Sequence, residues 1–355
     1  MGVDVLAVHE PTGLRLVRRA TPGPGFAERV ATAEFGTRGL RFVMGEGTAA
    51  DLARLREAIY LSLEREDGAV VGTYALAASP LHFGGQSLRA WYRSLLTVAP
   101  EQGGQKVGRW FSAQTKRLCC DALTTPAALY GFIDPDNLRS IKIAETNGYQ
   151  RHLRFQVVES GWHAPRDDQR VGVLEPGELP RALALLRATW VDHVTTDLDA
   201  TVRPGEVFVL REGGALRCGV QVVERRISVT GLPGLWGRAI LGAAGLIAKL
   251  SPLFVLRDRH FAWAGNFFFQ PGAEASVGPL LQAVQRRLGL AGLVSYFDPA
   301  SPALASLQRA RAFGPLAWLA PGTPLEILLG ANAAAAPFMA SIAGKPWLFS
   351  STDVF

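Results

Sequence analysis

Two segments of this 355-residue sequence match each other at a constant spacing. Residues 132–137 read F-I-D-P-D-N, and residues 296–301 read Y-F-D-P-A-S. A fixed offset over several landmarks indicates an internal duplication, so we expect two similar halves. The matched pairs, each 164 residues apart, are Asp134 and Asp298, Asn137 and Ser301, and Tyr149 and Phe313.

The clearest ligand-binding pattern is a strand, a glycine-bearing turn and a helix in the first half. Leu95–Val98 predicts a strand that stops before Pro100, because proline cannot donate a hydrogen bond to a strand ladder. A helical pattern then runs from Val107 to Leu118. A helix N-terminus presents unpaired N–H groups and partial positive charge, so the pattern predicts an anion site. By itself it also fits the commoner case of a helix that binds only water.

A second strand and helix follow between Gly131 and Tyr149. Residues 128–133 predict a strand, and a helix is expected to start at or just before Asn137. Leu138, Ile141 and Ala144 lie at helical spacing and predict a buried stripe. The helix is expected to stop at Asn147-Gly148, a sequence typical of a left-handed C-cap.

The two motifs together resemble those of the GNAT superfamily of N-acetyltransferases. They read V-x-P-x-x-G-G-x-x-V-G from Val98 and N-x-x-S-x-K-I-x-x-x-x-G-Y from Asn137. In that family the first motif holds the pyrophosphate of acyl-CoA and the second flanks its pantetheine arm. The resemblance therefore implies acetyl-CoA or another acyl-CoA as donor, although Gly103 stands where Arg or Gln is usual and Lys106 where Gly is usual. The residues it assigns to the donor are Leu96, Thr97, Val98, Gly103, Gly104, Gln105, Lys106, Val107, Gly108, Arg109 and Asn137.

The resemblance leaves the catalytic acid and base open. A backbone N–H near residues 96–98 would polarise the thioester carbonyl. The family often places a tyrosine where this chain has Ala144 and a carboxylate where it has Leu95. The candidate catalytic side chains are Ser94, Tyr92 and, in the last segment, Asp353, with Tyr149 a weaker candidate as acid.

The expected fold class is α/β (α+β), with two tandem GNAT-like domains, each a mixed, mostly antiparallel sheet flanked by helices. We expect an N-terminal domain over residues 1–160 with the acyl-CoA site, and a degenerate copy over 171–330. Residues 331–355 are expected to dock as a strand. In the second half Glu274 stands where the pyrophosphate would lie, and like charges at so short a range repel strongly.

Composition narrows the class of partner. The net charge of +6 is modest and not gathered into a basic stripe, so nucleic acid is not expected. A diffuse positive field suits CoA or an acidic acyl carrier protein. Three cysteines predict no disulfide framework, and the six histidines lack metal-ligand spacing. Without a signal-peptide pattern at the N-terminus, we expect a cytoplasmic protein.

One apolar segment, 239–248, continues past Lys249 to Leu256. It is too short to cross a bilayer, which needs about 20 apolar residues. A buried helix is expected, and a wall for an acyl chain or a membrane-facing lip is the alternative.

These features favour an acyl-CoA-dependent N-acyltransferase that moves an acetyl or longer acyl group to the amine of a small metabolite. One alternative is a non-catalytic acyl-CoA-binding module, suggested by Ala144 and Leu95. The other is a long-chain acyltransferase with a carrier-protein donor and a peptide or lipid acceptor.

Overall fold

The computed structural model describes residues 4–23, 25–36, 41–45, 48–102, 106–232, 234–247, 258–315, 317 and 324–349. Of the predicted site residues, Gly103, Gly104, Gln105 and Asp353 lie outside these ranges.

Strands and helices alternate along the whole chain. The strands are β1 (Asp4–His9), β2 (Leu14–Arg19), β3 (Phe35–Gly36), β4 (Arg41–Val43), β5 (Ile59–Glu64), β6 (Val70–Ala78), β7 (Leu81–Phe83), β8 (Gln86–Val98), β9 (Ala127–Ile133), β10 (Gln150–Ser160), β11 (Val171–Val173), β12 (Val194–Thr195), β13 (Val207–Glu212), β14 (Ala215–Gly231), β15 (Arg259–Phe269), β16 (Leu293–Phe297), β17 (Leu325–Ala331) and β18 (Trp347–Leu348). The helices are α1 (Phe26–Thr32), α2 (Thr48–Arg54), α3 (Val107–Lys116), α4 (Leu138–Thr146), α5 (Leu179–Thr189), α6 (Leu198–Thr201), α7 (Gly234–Ile247), α8 (Val277–Leu288), α9 (Pro302–Arg309) and α10 (Ala336–Ser341).

The N-terminal sheet has the order β1-β2-β5-β6-β8-β9-β17-β10. Its neighbours are antiparallel except for β8 and β9, which are parallel. Helices α3 and α4 cover one face through Val107, Phe111, Ile141 and Ala144. The other face is covered by α1 and α2, through Phe26, Val30 and Leu52.

The C-terminal sheet repeats this plan in the order β11-β13-β14-β15-β16-β10. The pair β15–β16 is parallel, like β8–β9. Helices α4 and α9 begin at equivalent positions, since Asn137 and Ser301 each accept a hydrogen bond from a backbone N–H three residues later. The predicted fold class is confirmed.

The two sheets exchange strands. Residues 150–155 of β10 pair with β17, and residues 156–160 pair with β16 in the C-terminal sheet. In return, β17 lies between β9 and β10 in the N-terminal sheet. The residues before and after position 160 therefore share two continuous sheets.

The segment after β17 packs back onto the N-terminal sheet. Its strand β18 runs parallel to β12, which also pairs with β7. Phe349, just beyond β18, lies 5.0 Å from Tyr130 and 5.1 Å from Phe132 between ring centroids.

One burial prediction was wrong. Leu138 is 66% exposed, because it is the first residue of α4 and lies beyond the sheet that covers Ile141 and Ala144. The helix expected near residue 239 is present as α7, on which Ala244 is buried and Ile240 is 43% exposed, and residues 248–256 of the apolar segment lie outside the described ranges. Within the described ranges, no helix has the length and apolar character needed to span a membrane.

Candidate functional site

A β-bulge interrupts β8 at Leu95. Thr73 of β6 pairs with Thr97, and Ala75 pairs with Ser94, so Tyr74 alone faces two residues of β8. Leu95 takes up the extra length with a φ of 56°, in the left-handed region. That conformation costs a leucine roughly 1–2 kcal/mol, so the surrounding structure must hold it.

Thr73 supplies that support. Its hydroxyl donates to the Leu95 carbonyl oxygen at 3.0 Å and lies 2.7 Å from the Thr97 hydroxyl. Thr73 is fully buried, and Thr97 nearly so. Two buried hydrogen bonds therefore fix the bulge from the β6 side.

The pairing of β8 with β9 ends just before the bulge. Their parallel pairing runs from Arg89–Ala127 to Tyr92–Tyr130 and does not continue along the described residues of either strand. Each strand remains paired on its other side, with β6 and β17 respectively. We call the region beyond the last pair, between residues 93–98 of β8 and 131–133 of β9, the strand cleft.

The N-terminus of α3 follows the cleft. β8 ends at Val98, and a 3-10 turn at Pro100–Gln102 comes before α3. Lys106, the N-cap residue, has a φ of 59° and makes no side-chain capping hydrogen bond. Lys106 and Arg109 are both exposed, so two full positive charges accompany the helix end. The predicted order of strand, turn and helix is present on either side of the three undescribed positions.

The other predicted donor-site residues are distributed around this helix end. Leu96, Thr97 and Val98 form the wall of the cleft on β8. Val107, the first residue of α3, is buried, whereas Gly108 is half-buried. Among the described residues, a Cβ on Gly108 would contact only Val98 Cγ2, at 3.7 Å. Asn137 lies at the start of α4, where its Oδ1 accepts from the Ser140 N–H at 3.1 Å.

Of the predicted catalytic side chains, Ser94 lies next to the bulge. It is 8% exposed, and its Oγ has no hydrogen-bond partner among the described residues. Tyr92 lies deeper, 5.7 Å from both Tyr130 and Phe132 between ring centroids. Ala144 is buried on the face of α4 that packs against the sheet.

Three residues near the cleft were missed by sequence reasoning: Thr73, Arg93 and Gly131. The signal for Arg93 was present, because a charged residue in the middle of a strand with an otherwise buried pattern requires a reason. Thr73 and Gly131 carry no such signal, since threonine and glycine are common in strands and turns.

Tyr149, the weaker candidate as acid, is buried in the core. Burial raises the pKa of its phenol well above the ordinary value.

The C-terminal half has its own bulge, in β15. Asn266 has a φ of 49° there, and the pairing of β14 with β15 shifts at the same place. Asn266 donates to Gln221 Oε1 at 2.7 Å, and Trp190 Nε1 donates to the Phe267 carbonyl oxygen at 2.5 Å. Asparagine tolerates the left-handed region better than leucine, so the bulge of the first half is the more strained.

Charged side chains join the two halves beside α2. Asp51 pairs with Arg225 of β14 at 2.6 Å, and Arg54 pairs with Glu206 at 2.5 Å. Burial raises the Asp51 pKa, which Arg225 and Arg54 oppose. Burial likewise lowers the Arg225 pKa against the opposing effect of Asp51. The α2 side of the bulge therefore faces the C-terminal half.

No protein-family model and no curated protein matches this sequence. Solved structures do match the fold. A crystal structure of N-myristoyltransferase from Saccharomyces cerevisiae with bound myristoyl-CoA has a TM-score of 0.59 and 8% identity, covering 92% of this chain and 84% of that one. Another structure of that enzyme with bound myristoyl-CoA has a TM-score of 0.58 and 9% identity, covering 89% and 78%.

A GCN5-related N-acetyltransferase from Kribbella flavida also matches, with a TM-score of 0.47 and 13% identity, covering 90% and 72%. The fold likeness to the Saccharomyces enzyme extends over both halves and agrees with the motifs at Val98 and Asn137. This chain has a GNAT-type fold, which it shares with the Saccharomyces N-myristoyltransferase structures.

Proposed function

We propose that this protein is an acyl-CoA-dependent N-acyltransferase that moves an acetyl or longer acyl group to the amine of a small metabolite. The observation that carries the proposal is the strained bulge at Leu95, in the cleft and one short turn before α3. Strain of this kind persists where the surrounding structure enforces it, and it concentrates at functional sites.

The bulge suits the first requirement of acyl transfer. Attack by an amine develops negative charge on the thioester oxygen, and a fixed N–H donor stabilises that charge. Among the described residues, none pairs with residues 96–98 of β8 on the cleft side, which supports their backbone groups as ligand-binding groups. The acyl group would lie in the strand cleft.

The N-terminus of α3 suits the donor. Its first N–H groups lack a side-chain cap from Lys106, and Gly108 leaves open space beside them. The CoA pyrophosphate would bind there with Lys106 and Arg109, together with the predicted residues Gly103, Gly104, Gln105 and Val107. Asn137 and the exposed Leu138 would flank the pantetheine arm.

Transfer also needs the amine to lose a proton and the thiolate to gain one. Ser94 is the candidate closest to the bulge, and its unpartnered hydroxyl supports a role in proton transfer or positioning. Asp353 follows Phe349 by four residues, a reach of at most about 14 Å. Phe349 contacts Phe132 of β9, which supports Asp353 as a base. Tyr92 is packed among aromatic rings, which makes it a weaker candidate for proton transfer than Ser94.

A second candidate function is a non-catalytic acyl-CoA-binding module. Ala144 favours it, because this buried position carries no hydroxyl to protonate the leaving thiolate. The acceptor in the first proposal would lie between the halves, on the α2 side of the bulge.

Calorimetric titration with CoA, acetyl-CoA and a long-chain acyl-CoA, with a thiol-release assay on a panel of amines, tests these functions. Binding with thiol release is the result expected of the enzyme. Binding without release on any amine would favour the module. Failure to bind any of the three would overturn the assignment of the α3 site.

Substitution at Gly108 tests the site itself. Gly108→Glu is expected to abolish CoA binding, because it adds bulk and negative charge where the pyrophosphate would lie. Gly108→Ala is the matched control, since its methyl group has room at 3.7 Å from Val98 and alanine favours a helix. Equal CoA affinity in the two variants would contradict the assignment of the pyrophosphate site to the N-terminus of α3.

A further inference from the structure

Arg93 is a buried cation in the wall of the strand cleft. It is 7% exposed, two residues before the bulge at Leu95. Its guanidinium lies 3.9 Å from the centre of the Tyr149 ring, and Nη1 donates to the Tyr74 hydroxyl at 3.3 Å. Both tyrosines are nearly fully buried.

Most of the hydrogen-bonding capacity of Arg93 is unused. Its Nε and Nη2 have no partner among the described residues, and no carboxylate of the described chain forms an ion pair with it. Tyr149, 2% exposed, lies beside the guanidinium, and its hydroxyl has no partner among the described residues other than Arg93. The guanidinium thus keeps unpaired donors in a buried place.

The opposite wall of the cleft makes room for this side chain. A Cβ on Gly131 of β9 would come within 2.7 Å of Arg93 Cγ and 2.8 Å of the Arg93 carbonyl oxygen. Any larger residue would force the arginine away. Arg93 is therefore held against β9 at the closed end of the cleft, beside the last paired residues Tyr92 and Tyr130.

A guanidinium stays charged at any accessible pH. Burying a guanidinium without a counter-charge is unfavourable, and a cation–π contact with one long hydrogen bond offsets only part of that cost. A carboxylate would pair with the remaining charge and N–H groups, because it accepts two parallel hydrogen bonds from a guanidinium fork. A hydrocarbon chain would leave the donors unpaired.

The separation of Arg93 from the bulge favours a short ligand. Arg93 and Leu95 are two residues apart, which is about 7 Å between their Cα atoms along a strand. Three carbon–carbon bonds of a four-carbon acyl group place its distal carboxylate about 4 Å from the thioester carbon. A four-carbon dicarboxylic acyl group is therefore of the same length scale as the spacing between the two positions.

We propose that Arg93 recognises the distal carboxylate of a short dicarboxylic acyl group, of which succinyl is the four-carbon member. The inference rests on the proposed function, since the acyl group enters the cleft on its CoA thioester. It narrows the acyl group of that function to a short anionic one.

Succinyl-CoA and butyryl-CoA are the matched probes, because they have the same number of acyl carbons and differ at the distal end. We expect calorimetry to give the intact protein a Kd for succinyl-CoA at least about tenfold below that for butyryl-CoA. Arg93→Met should bring the ratio close to one, and Arg93→Lys, which keeps the charge but loses the fork, should retain part of it. Arg89→Met is the control, because Arg89 is an exposed arginine on the same strand that also lies over an aromatic ring, at 4.5 Å from Trp91.

Equal or tighter binding of butyryl-CoA by the intact protein would overturn the inference, as would an unchanged ratio in Arg93→Met. A merely structural role would lower the melting temperature of that variant and leave the ratio alone. Should Arg93→Met fail to fold, the ratios of the intact protein and Arg93→Lys decide. Free CoA, titrated alongside, separates the two proposals. If the intact protein does not bind CoA, the proposed function is overturned. If it binds CoA but does not prefer succinyl-CoA to butyryl-CoA, only the role of Arg93 is overturned.

Discussion

At the scale of single residues, Leu95 has a backbone conformation that leucine avoids, and the Thr73 hydroxyl is bonded to its carbonyl oxygen. The sequence around Leu95 predicts a plain strand. The bulge becomes visible only when β6 lies beside β8, because it is a mismatch in the pairing of two strands.

Thr73→Val tests the support of this bulge. The change keeps the shape of the side chain and removes its hydroxyl, leaving the Leu95 carbonyl without that donor. We expect the free energy of unfolding to fall by about 1–3 kcal/mol. If a bulge N–H stabilises the transition state, kcat should also fall, by about tenfold or more.

Thr115→Val on α3 is the matched control. Thr115 is also fully buried, but its hydroxyl has no partner among the described residues, so its loss should be neutral or stabilising. Urea unfolding and steady-state kinetics on both variants make the comparison. Equal effects of the two substitutions would contradict a special role for Thr73.

At the scale of elements, most of the secondary structure was predictable because its signals are local. The hairpin β5–β6, the long strand β8 and the start of α4 at Asn137 follow from turn residues, strand-forming runs and a capping side chain. Exposure of Leu138 and of Ile240 on α7 was not predictable, because helical spacing reports which residues share a face and not what covers that face.

The junction of α9 with β12 gives a pH prediction. His193 is buried, and its Nε2 lies 2.9 Å from the Ser301 hydroxyl at the N-cap of α9. Burial lowers the His193 pKa, against the opposing effect of Asp298 and Asp192.

The sign follows from proton uptake. As pH falls through about 6.5, the unfolded chain binds a proton at His193 before the folded protein does. Above that pH, His193 therefore does not reduce the free energy of unfolding. Below it, the free energy of unfolding should fall, by up to about 1.4 kcal/mol per pH unit for this histidine. Urea unfolding at several pH values between about 7.5 and 5 measures this loss.

His193→Gln should make the dependence less steep, and His163→Gln, at an exposed position, should leave it unchanged. An identical slope in His193→Gln and the parent protein would contradict the prediction. Burial also lowers the His152 pKa, so part of the slope should remain in every variant.

At the scale of the whole molecule, the exchanged strands β10 and β17 join the two sheets. Leu328 of β17 belongs to the C-terminal half of the sequence, yet it is fully buried in the core beneath α3 and α4. Each half thus depends on a strand from the other.

We expect one cooperative unfolding transition for the entire chain. Far-UV circular dichroism and tryptophan fluorescence should give the same urea midpoint, since tryptophans lie in both halves. Leu328→Ala should lower that midpoint, with a loss of about 2–5 kcal/mol. Two separated transitions, or a shift confined to one probe in this variant, would show that the halves unfold independently.

The sequence by itself determined the family of folds, the two-fold repetition and the order of strand, turn and helix at the donor site. The repetition follows from landmarks at a constant offset of 164 residues. The order of strand, turn and helix follows from patterns within about twenty consecutive residues, where capping groups, turn residues and apolar spacing act directly. Only the tertiary structure decided the bulge at Leu95, the end of the β8–β9 pairing, the strand exchange and the placement of Arg93 against Gly131. Each of those depends on contacts between strands far apart in the chain, where a residue's role is set by the neighbour it meets.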